Sequence, residues 1–310
     1  MIKRVIDGKA YAKIIKDEVR DATDYIKTER NENISLVIIQ VGNNHASDTY
    51  VKNKIAACNE MGIKTVLNKY PENITEAGLV GEILKFNNDP TVHGIIVQLP
   101  LPDHINENNI ACNIDFRKDI DGLNPINMGI LDTGMLGLVP CTAIGIVETI
   151  AKILHSIDDS IEGKHCVVIG RSNIVGKPVT KHMTMENATV TLCHSKTKNL
   201  KEICKLADIL IVAIGKPKFI TKEYIKDNAI VFDVGINRDE NNKLCGDVDF
   251  DDVKDVAWMI TPVPGGVGPL TTAMVGKNTV RAYNMLNPDI DEVKPEISVR
   301  VNNKEEEKNC

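Results

Sequence analysis

The run Ile34–Val41, ISLVIIQV, constrains the fold more than any other stretch. Almost every position is apolar and most are β-branched, the pattern of a strand buried on both faces and so of a parallel sheet covered by helices. Gly42, Asn43 and Asn44 then break the strand, and a helix is predicted from Ala46 to about Met61. Upstream, Asp7 caps a helix whose Ile15, Val19, Ala22 and Ile26 form one apolar stripe. Downstream come a strand over 63–70, a helix from Thr75 to about Asn88 and a short buried strand at His93–Gln98. Alternation of this kind predicts a three-layer α/β unit, with ligands bound beyond the carboxyl ends of its strands. The segments 43–54 and 98–102 both lie just past strand ends, so they can meet in one cleft.

Within the first of these segments Tyr50 and Lys54 stand four residues apart and share a helix face. An aromatic plane beside an amine suits a flat, polar, heteroaromatic substrate, although such a pair taken alone is an ordinary surface feature. The loop DFRKDIDGLNP (115–125) carries Asp119 and Asp121 before Gly122, which by itself reads as a solvated turn. PCTAIGIVETIAKIL (140–154) is predicted as a helix capped by Thr142 that leads into a second unit.

That unit opens with the strand HCVVIG (165–170) and the turn Gly170-Arg171-Ser172-Asn173-Ile174-Val175-Gly176 before a helix. This is a Rossmann-like glycine turn with serine at its second glycine, placed where backbone N–H groups can hold a pyrophosphate. Strands over 188–193, 208–215 and 229–236 come next and support a dinucleotide site. The second strand ends Cys193-His194-Ser195-Lys196-Thr197 with no carboxylate for a ribose 2′-hydroxyl. Ser195, Lys196 and Arg171 instead suit a 2′-phosphate, favouring NADP. TPVPGGVGP (261–269), with three prolines and three glycines, is predicted as a rigid loop facing the cleft. Thr271 or Thr272 is then expected to cap a closing helix that reaches about Leu286 and packs back on the first unit.

Composition narrows the function. A net charge of −6 on 310 residues argues against nucleic acid as a partner, and no apolar run is long enough for a membrane span. The eight scattered cysteines form no C-x-x-C pair and read as reduced thiols, and the seven histidines have no metal-ligand spacing, so no metal is expected. With no signal or transit-peptide pattern at the N-terminus, a soluble cytoplasmic protein is expected.

Five blocks carry a resemblance: Ala46–Lys54 (ASDTYVKNK), 94–102 (GIIVQLPLP), 118–122 (KDIDG), 170–178 (GRSNIVGKP) and 261–269. Together, and in this order, they make the chain similar to the methylenetetrahydrofolate dehydrogenase/methenyltetrahydrofolate cyclohydrolase family, the bifunctional FolD type, over about residues 1–287. Departures are small. Ala143 replaces a second proline, Leu270 a methionine and Lys196 an arginine, the last turning a bidentate phosphate grip into a point charge.

The resemblance implies two three-layer α/β domains flanking a cleft, the second a Rossmann-type NAD(P)-binding domain. Residues 1–146, completed by helix 271–287, would form the folate domain, 147–270 the NADP domain and 288–310 a mobile tail. It implies NADP-dependent oxidation of 5,10-methylenetetrahydrofolate and hydrolysis of the methenyl product to 10-formyltetrahydrofolate, in a homodimer joined through the cofactor domains. Lys54 would be the base in hydrolysis, a cationic substrate in a partly desolvated cleft favouring its neutral amine. Gln98 would hydrogen-bond and orient Lys54, Tyr50 would stack on the folate, and Asp121 would accept from the pterin. Val51, Lys52, Asn53, Val97, Leu99 and the loop Pro264, Gly265, Gly266, Val267, Gly268 and Pro269 would complete the folate site. Gly170, Arg171, Ser172, Ser195, Lys196 and Ile236 would hold the cofactor. An amino-acid or shikimate-type dehydrogenase shares this two-domain plan, and a catalytically silent dinucleotide-binding regulator is the alternative from outside the enzymes.

Overall fold

The computed structural model describes residues 4–43, 45–135 and 137–288; the expected tail lies almost wholly outside them. In chain order the elements are β1 (Arg4–Val5), α1 (Gly8–Arg30), β2 (Ser35–Val41), α2 (His45–Glu60), β3 (Lys64–Tyr70), α3 (Glu76–Asn88) and β4 (Gly94–Val97). Then come α4 (Glu107–Asn113), α5 (Pro125–Asp132), α6 (Cys141–His155), β5 (His165–Ile169), α7 (Gly176–Met185), β6 (Thr189–Cys193), α8 (Leu200–Cys204) and β7 (Ile209–Val212). The last are β8 (Ile230–Asp233), β9 (Asn237–Arg238), β10 (Leu244–Cys245), α9 (Phe250–Val253), β11 (Met259–Ile260) and α10 (Val267–Leu286).

Two parallel sheets result. The first has the order β3-β2-β4 and the second β1-β11-β8-β7-β5-β6, while β9 and β10 form a separate hairpin. The β-branched run makes β2 the central strand of the first sheet, with six of its seven residues buried. Among the described residues, β1 departs from a first unit that starts at residue 1: Arg4 and Val5 pair with Met259 and Ile260 at the edge of the second sheet. A two-residue strand carries too little pattern to be recognised in advance.

Local chemistry accounts for most element ends. The Asp7 carboxylate accepts from the N–H groups of Lys9 and Ala10 and starts α1, whose Ile15, Val19, Ala22 and Ile26 are buried as the stripe requires. Thr75 caps α3 through the N–H of Gly78. Two expected caps are corrected. Helix α6 begins at Cys141 after Pro140, so Thr142 lies in the first turn, where its hydroxyl meets that of Thr271 at 3.1 Å. Helix α10 begins at Val267, so Thr271 and Thr272 lie inside it and bond back to the Val267 and Pro269 carbonyls. Val267, Gly268 and Pro269 are therefore the first helical turn rather than loop. Proline two residues inside a helix start is tolerated because the first N–H groups have no intrahelical acceptor, so a proline-rich stretch need not be loop throughout.

Helix α10 joins the units. Its buried face packs on α1, α2 and α6, and a Cβ on Gly276 would fall 2.4 Å from Met61, so the helix approaches as closely as glycine permits. Buried Lys277 pairs with Glu148 of α6 at 2.8 Å and Glu18 of α1 at 3.7 Å, and Arg281 reaches Glu148 at 3.5 Å. Removing one partner would strand a buried charge at a cost of roughly 3–5 kcal/mol, so the network holds the three helices in one arrangement. Among the described residues seven cysteines are free, all but Cys112 buried, and no helix is long and apolar enough to cross a membrane.

Candidate active site

Three chain segments end together at one edge of the first sheet. Ile39 of β2 stands opposite Val97 of β4, and the Gln98 N–H donates to the Ile39 carbonyl at 2.8 Å. Residues 118–120 run alongside β4: Ile95 N–H donates to the Lys118 carbonyl at 2.7 Å, and Ile120 N–H to the Ile95 carbonyl at 3.3 Å. Helix α2 with Lys54, Gln98 and Asp121 come directly after these three segments. All three groups therefore emerge at the same carboxyl end, where ligands of parallel sheets bind.

Helix α2 presents Lys54 inward. Val51, Cys58 and Met61 are buried, and Lys54 occupies the same three-and-four-residue stripe, so its stem runs along the core while the amine reaches the cleft. Its side chain is only 12% exposed, and Nζ lies 3.8 Å from Asp121 Oδ2. Asp48 fastens the helix start to the sheet, accepting from Gln40 Nε2 at 2.9 Å and Lys69 Nζ at 3.1 Å; these bonds, Gln40's first, hold its carboxyl below the usual range.

Asp121 is placed by its neighbours. Gly122 has φ +63°, and a Cβ there would lie 2.7 Å from the Leu138 carbonyl, so the turn presses on the segment entering α6. Asn278 of α10 donates to both the Ile120 and Val139 carbonyls, at 2.9 and 2.8 Å, clamping the same junction. Asp119, fully buried, accepts from Asn124 N–H at 2.7 Å and Asn127 Nδ2 at 3.0 Å, and burial pushes its carboxyl up to about 6. Burial also raises the Cys141 thiol.

Beside Asp121 lies a cavity of about 240 Å³ between the two units. It is lined by Ile95, Ile96, Val97 and Leu99, by Glu107, Asn108, Ile110, Ala111 and Ile114 around α4, by Asp119, Asp121 and Leu123, and across the cleft by Ser172, Asn173 and Ile174. Tyr50, 45% exposed, and Lys54 do not line it; Lys54 meets it through Asp121. Gln98 donates Nε2 to the Leu99 carbonyl at 2.7 Å instead of bonding Lys54, and its buried Oε1 has no partner in the structure. A buried acceptor without a donor is costly, which suits a donor from the substrate or the Lys54 amine. Val51 is in the core, whereas Lys52 and Asn53 are exposed on α2.

The proline–glycine loop closes on α1. A Cβ on Gly8 would lie 1.8 Å from the Gly266 carbonyl oxygen, so glycine at the start of α1 lets the loop settle there. Sequence patterns assign no role to Gly8, Asp119, Asn278 or α4. Asp119 alone leaves a signal, an acidic residue two places from Asp121.

In the second unit Gly170 (φ +120°) comes directly after β5, and a Cβ on Gly176 would fall 1.9 Å from the Gly170 oxygen, so turn and helix touch through glycine backbone. Ser172 gathers the start of α7, its Oγ accepting from the Val175 N–H and its carbonyl from the Lys177 N–H, both at 3.1 Å; with proline at 178, the Gly176 N–H is the one left open to an anion at this helix start. Arg171 and Ser172 are exposed in this turn, Ser195 and Lys196 after β6, and Ile236 after β8. The open helix start, close glycine packing and cationic strand end fit a dinucleotide with a 2′-phosphate.

Two family models match. Residues 6–121 match the tetrahydrofolate dehydrogenase/cyclohydrolase catalytic domain, and 140–287 its NAD(P)-binding domain. The chain is 53% identical over 276 residues to the bifunctional protein FolD of Lachnoclostridium phytofermentans, covering 89% of this chain and 96% of that protein. It is 52% identical over 279 residues to its counterpart in Listeria innocua, covering 90% and 96%. Among solved structures, the FolD methylenetetrahydrofolate dehydrogenase/cyclohydrolase of Campylobacter jejuni aligns with a TM-score of 0.86 at 45% identity, covering 91% of this chain and 99% of that one. The Trypanosoma brucei enzyme, complexed with NADP and an inhibitor, aligns at 0.85 and 36%, covering 92% and 99%.

Proposed function

The chain belongs to the tetrahydrofolate dehydrogenase/cyclohydrolase family, and from that premise we propose how the cleft divides the chemistry among its residues. The activities are NADP-dependent oxidation of 5,10-methylenetetrahydrofolate and hydrolysis of 5,10-methenyltetrahydrofolate. Membership sets aside the amino-acid and shikimate-type alternative.

The observation that carries the proposal is the Lys54 amine, led inward on an apolar stripe and held 3.8 Å from Asp121 beside the interdomain cavity. Asp121 accepts from the amino-pyrimidinone edge of the pterin. When it does so, the carboxylate turns from Lys54, and the cationic methenyl carbon lies near the amine. The Lys54 amine is thereby the group placed to take a proton from the attacking water. Gln98 Oε1 accepts from Lys54 or the substrate and orients them. Tyr50 covers the folate at the rim, and the loop 264–266 with the first turn of α10 bounds its far side. Bound NADP supplies the hydride acceptor, and the α7 start, Ser195, Lys196 and Arg171 would hold its phosphates.

The folate part comprises residues 8–146 with α10, and the cofactor part 147–266 with β1 at the edge of its sheet. A homodimer through the cofactor parts is supported by β6, which among the described residues pairs only with β5 and leaves an edge. The free thiols suit a reducing, cytoplasmic setting. Asp121→Ala tests the arrangement: folate KM should rise tenfold or more in both activities, as loss of a charged hydrogen bond costs roughly 1.5–3 kcal/mol, with NADP affinity unchanged. Normal folate KM in both would overturn the assignment.

A further inference from the structure

We propose that Asp119 is a positioning residue for both reactions, its carboxylate gathering the turn 119–124 so that Asp121 stands opposite Lys54. Its Oδ2 accepts from the Asn124 N–H at 2.7 Å and Asn127 Nδ2 at 3.0 Å, and Asn124 in turn caps α5 through the Ile126 N–H at 2.8 Å. The backbone completes the clasp: Gly122 N–H donates to the Asp119 carbonyl at 3.0 Å, and Asp119 forms a parallel bridge with Ile95, near the start of β4. The carboxylate thereby ties the turn to α5, while the backbone of the same residue ties it to β4. Although only 1% exposed, Asp119 lines the interdomain cavity, so its state is felt where the folate is held.

The ionised form does the clasping, because every neighbour named is an N–H donor. Burial, opposed by those hydrogen bonds and reinforced by Asp121, places its titration at about 6. The charged and titratable groups around it are few. Asp121 shares its turn, with Lys54 of α2 beyond it; Cys141 of α6 faces it electrostatically; Glu107 of α4 borders the same cavity. The neighbouring Lys118 amine is held elsewhere by the carbonyls of Phe86, Asn87 and Asp89. Protonating Asp119 removes an acceptor from the clasp, and Asp121 loses its setting.

The inference rests on the proposed role of Asp121, and the test separates the two. Cyclohydrolase kcat/KM is measured from pH 5 to 8, with uncatalysed hydrolysis subtracted, because this step needs no cofactor. The wild type should lose activity on the acid side with a midpoint near 6. Asn127→Ala withdraws one donor from the ionised carboxylate, so its acid midpoint should move up by half a pH unit or more. Asp119→Asn should lose the component of the acid limb centred near 6 and raise folate KM several-fold at pH 8 while NADP KM stays within twofold. Should Asp119→Asn fail to fold, the direction of the Asn127→Ala shift decides alone. An acid limb left in place by Asn127→Ala overturns the positioning role; Asp121→Ala with normal folate KM overturns instead the reading beneath it.

Discussion

Gly8 offers the sharpest mutational test of the cleft's geometry, because it lies in the first turn of α1, outside every motif that carries the family resemblance. A methyl group there would sit 1.8 Å from the Gly266 oxygen, 2.6 Å from the Gly266 carbonyl carbon and 2.7 Å from the Gly265 oxygen. Real Cβ contacts do not fall below 3.0 Å, so in Gly8→Ala the two backbones must part by at least 1.2 Å. All three opposing atoms are main chain, with no flexible side chain to swing away. Helix α1 is anchored by its Asp7 cap and buried stripe, so the loop is the side that moves. The loop is proposed to bound the folate, and a displacement of about 1 Å at a segment that positions a substrate costs on the order of 10²-fold in rate. That is ~2.7 kcal/mol of transition-state stabilisation. Steady-state dehydrogenase and cyclohydrolase assays should show kcat/KM for folate falling by about that factor in both reactions. NADP affinity should persist, and overpacking should cost roughly 1–3 kcal/mol of stability. Gly81→Ala is the control: a Cβ there meets nothing within 4 Å in α3, so the helix should gain roughly 0.5–1 kcal/mol with unchanged kinetics. A Gly8→Ala enzyme within threefold of wild-type kcat/KM would refute the claim that this contact sets the loop.

Buried groups and close glycine contacts yield two more tests. Burial depresses His182 from 6.5 to about 4, so the unfolded chain takes up its proton at higher pH than the folded one. Its contribution is complete above pH 6.5 and is lost progressively as pH falls from there through 4, an amount of ~3 kcal/mol. Asp119 and Asp233, raised by burial to about 6 and about 7, act in the opposite sense, so the measurement is the difference in urea-unfolding free energy between wild type and His182→Gln across pH 4–7. That difference should change steadily through the window, and a constant difference would show that His182 is not buried neutral. In Gly176→Ala the new methyl would sit 1.9 Å from the Gly170 oxygen, so NADP KM should rise at least tenfold while cyclohydrolase survives. An unchanged NADP KM would mean that the dinucleotide does not use this turn.

The sequence showed most where one residue type answers one physical demand. The β-branched run of β2, the Asp7 and Thr75 caps and the glycine turn before α7 announce themselves because burial, orphan N–H groups and close backbone approach each favour few residues. Lys54 was legible twice, as a motif and as the partner of Tyr50 on one helix face; that it lies on the buried stripe of Val51 and Cys58, with Tyr50 largely outside, emerged only from the packing. Longer-range geometry was not legible. β1 pairs with β11 across more than 250 residues, and Asn278 reaches Ile120 from the far end of the chain; neither leaves a local pattern. Thr142, Thr271 and Thr272 look like caps by type, but all three lie one or more residues inside their helices. Gln98 shows the same limit, since side-chain partners depend on rotamers that spacing does not fix.

The central claim is that Lys54 supplies the base for hydrolysis while hydride transfer depends mainly on positioning. Lys54→Met keeps the reach of the side chain and removes the amine. With the purified variant, absorbance of methenyltetrahydrofolate reports both reactions directly. Added methenyltetrahydrofolate should decay only at the uncatalysed rate, and it should accumulate when methylenetetrahydrofolate and NADP are supplied. Hydrolysis at the wild-type rate would contradict the claim and remove Lys54 from the chemistry.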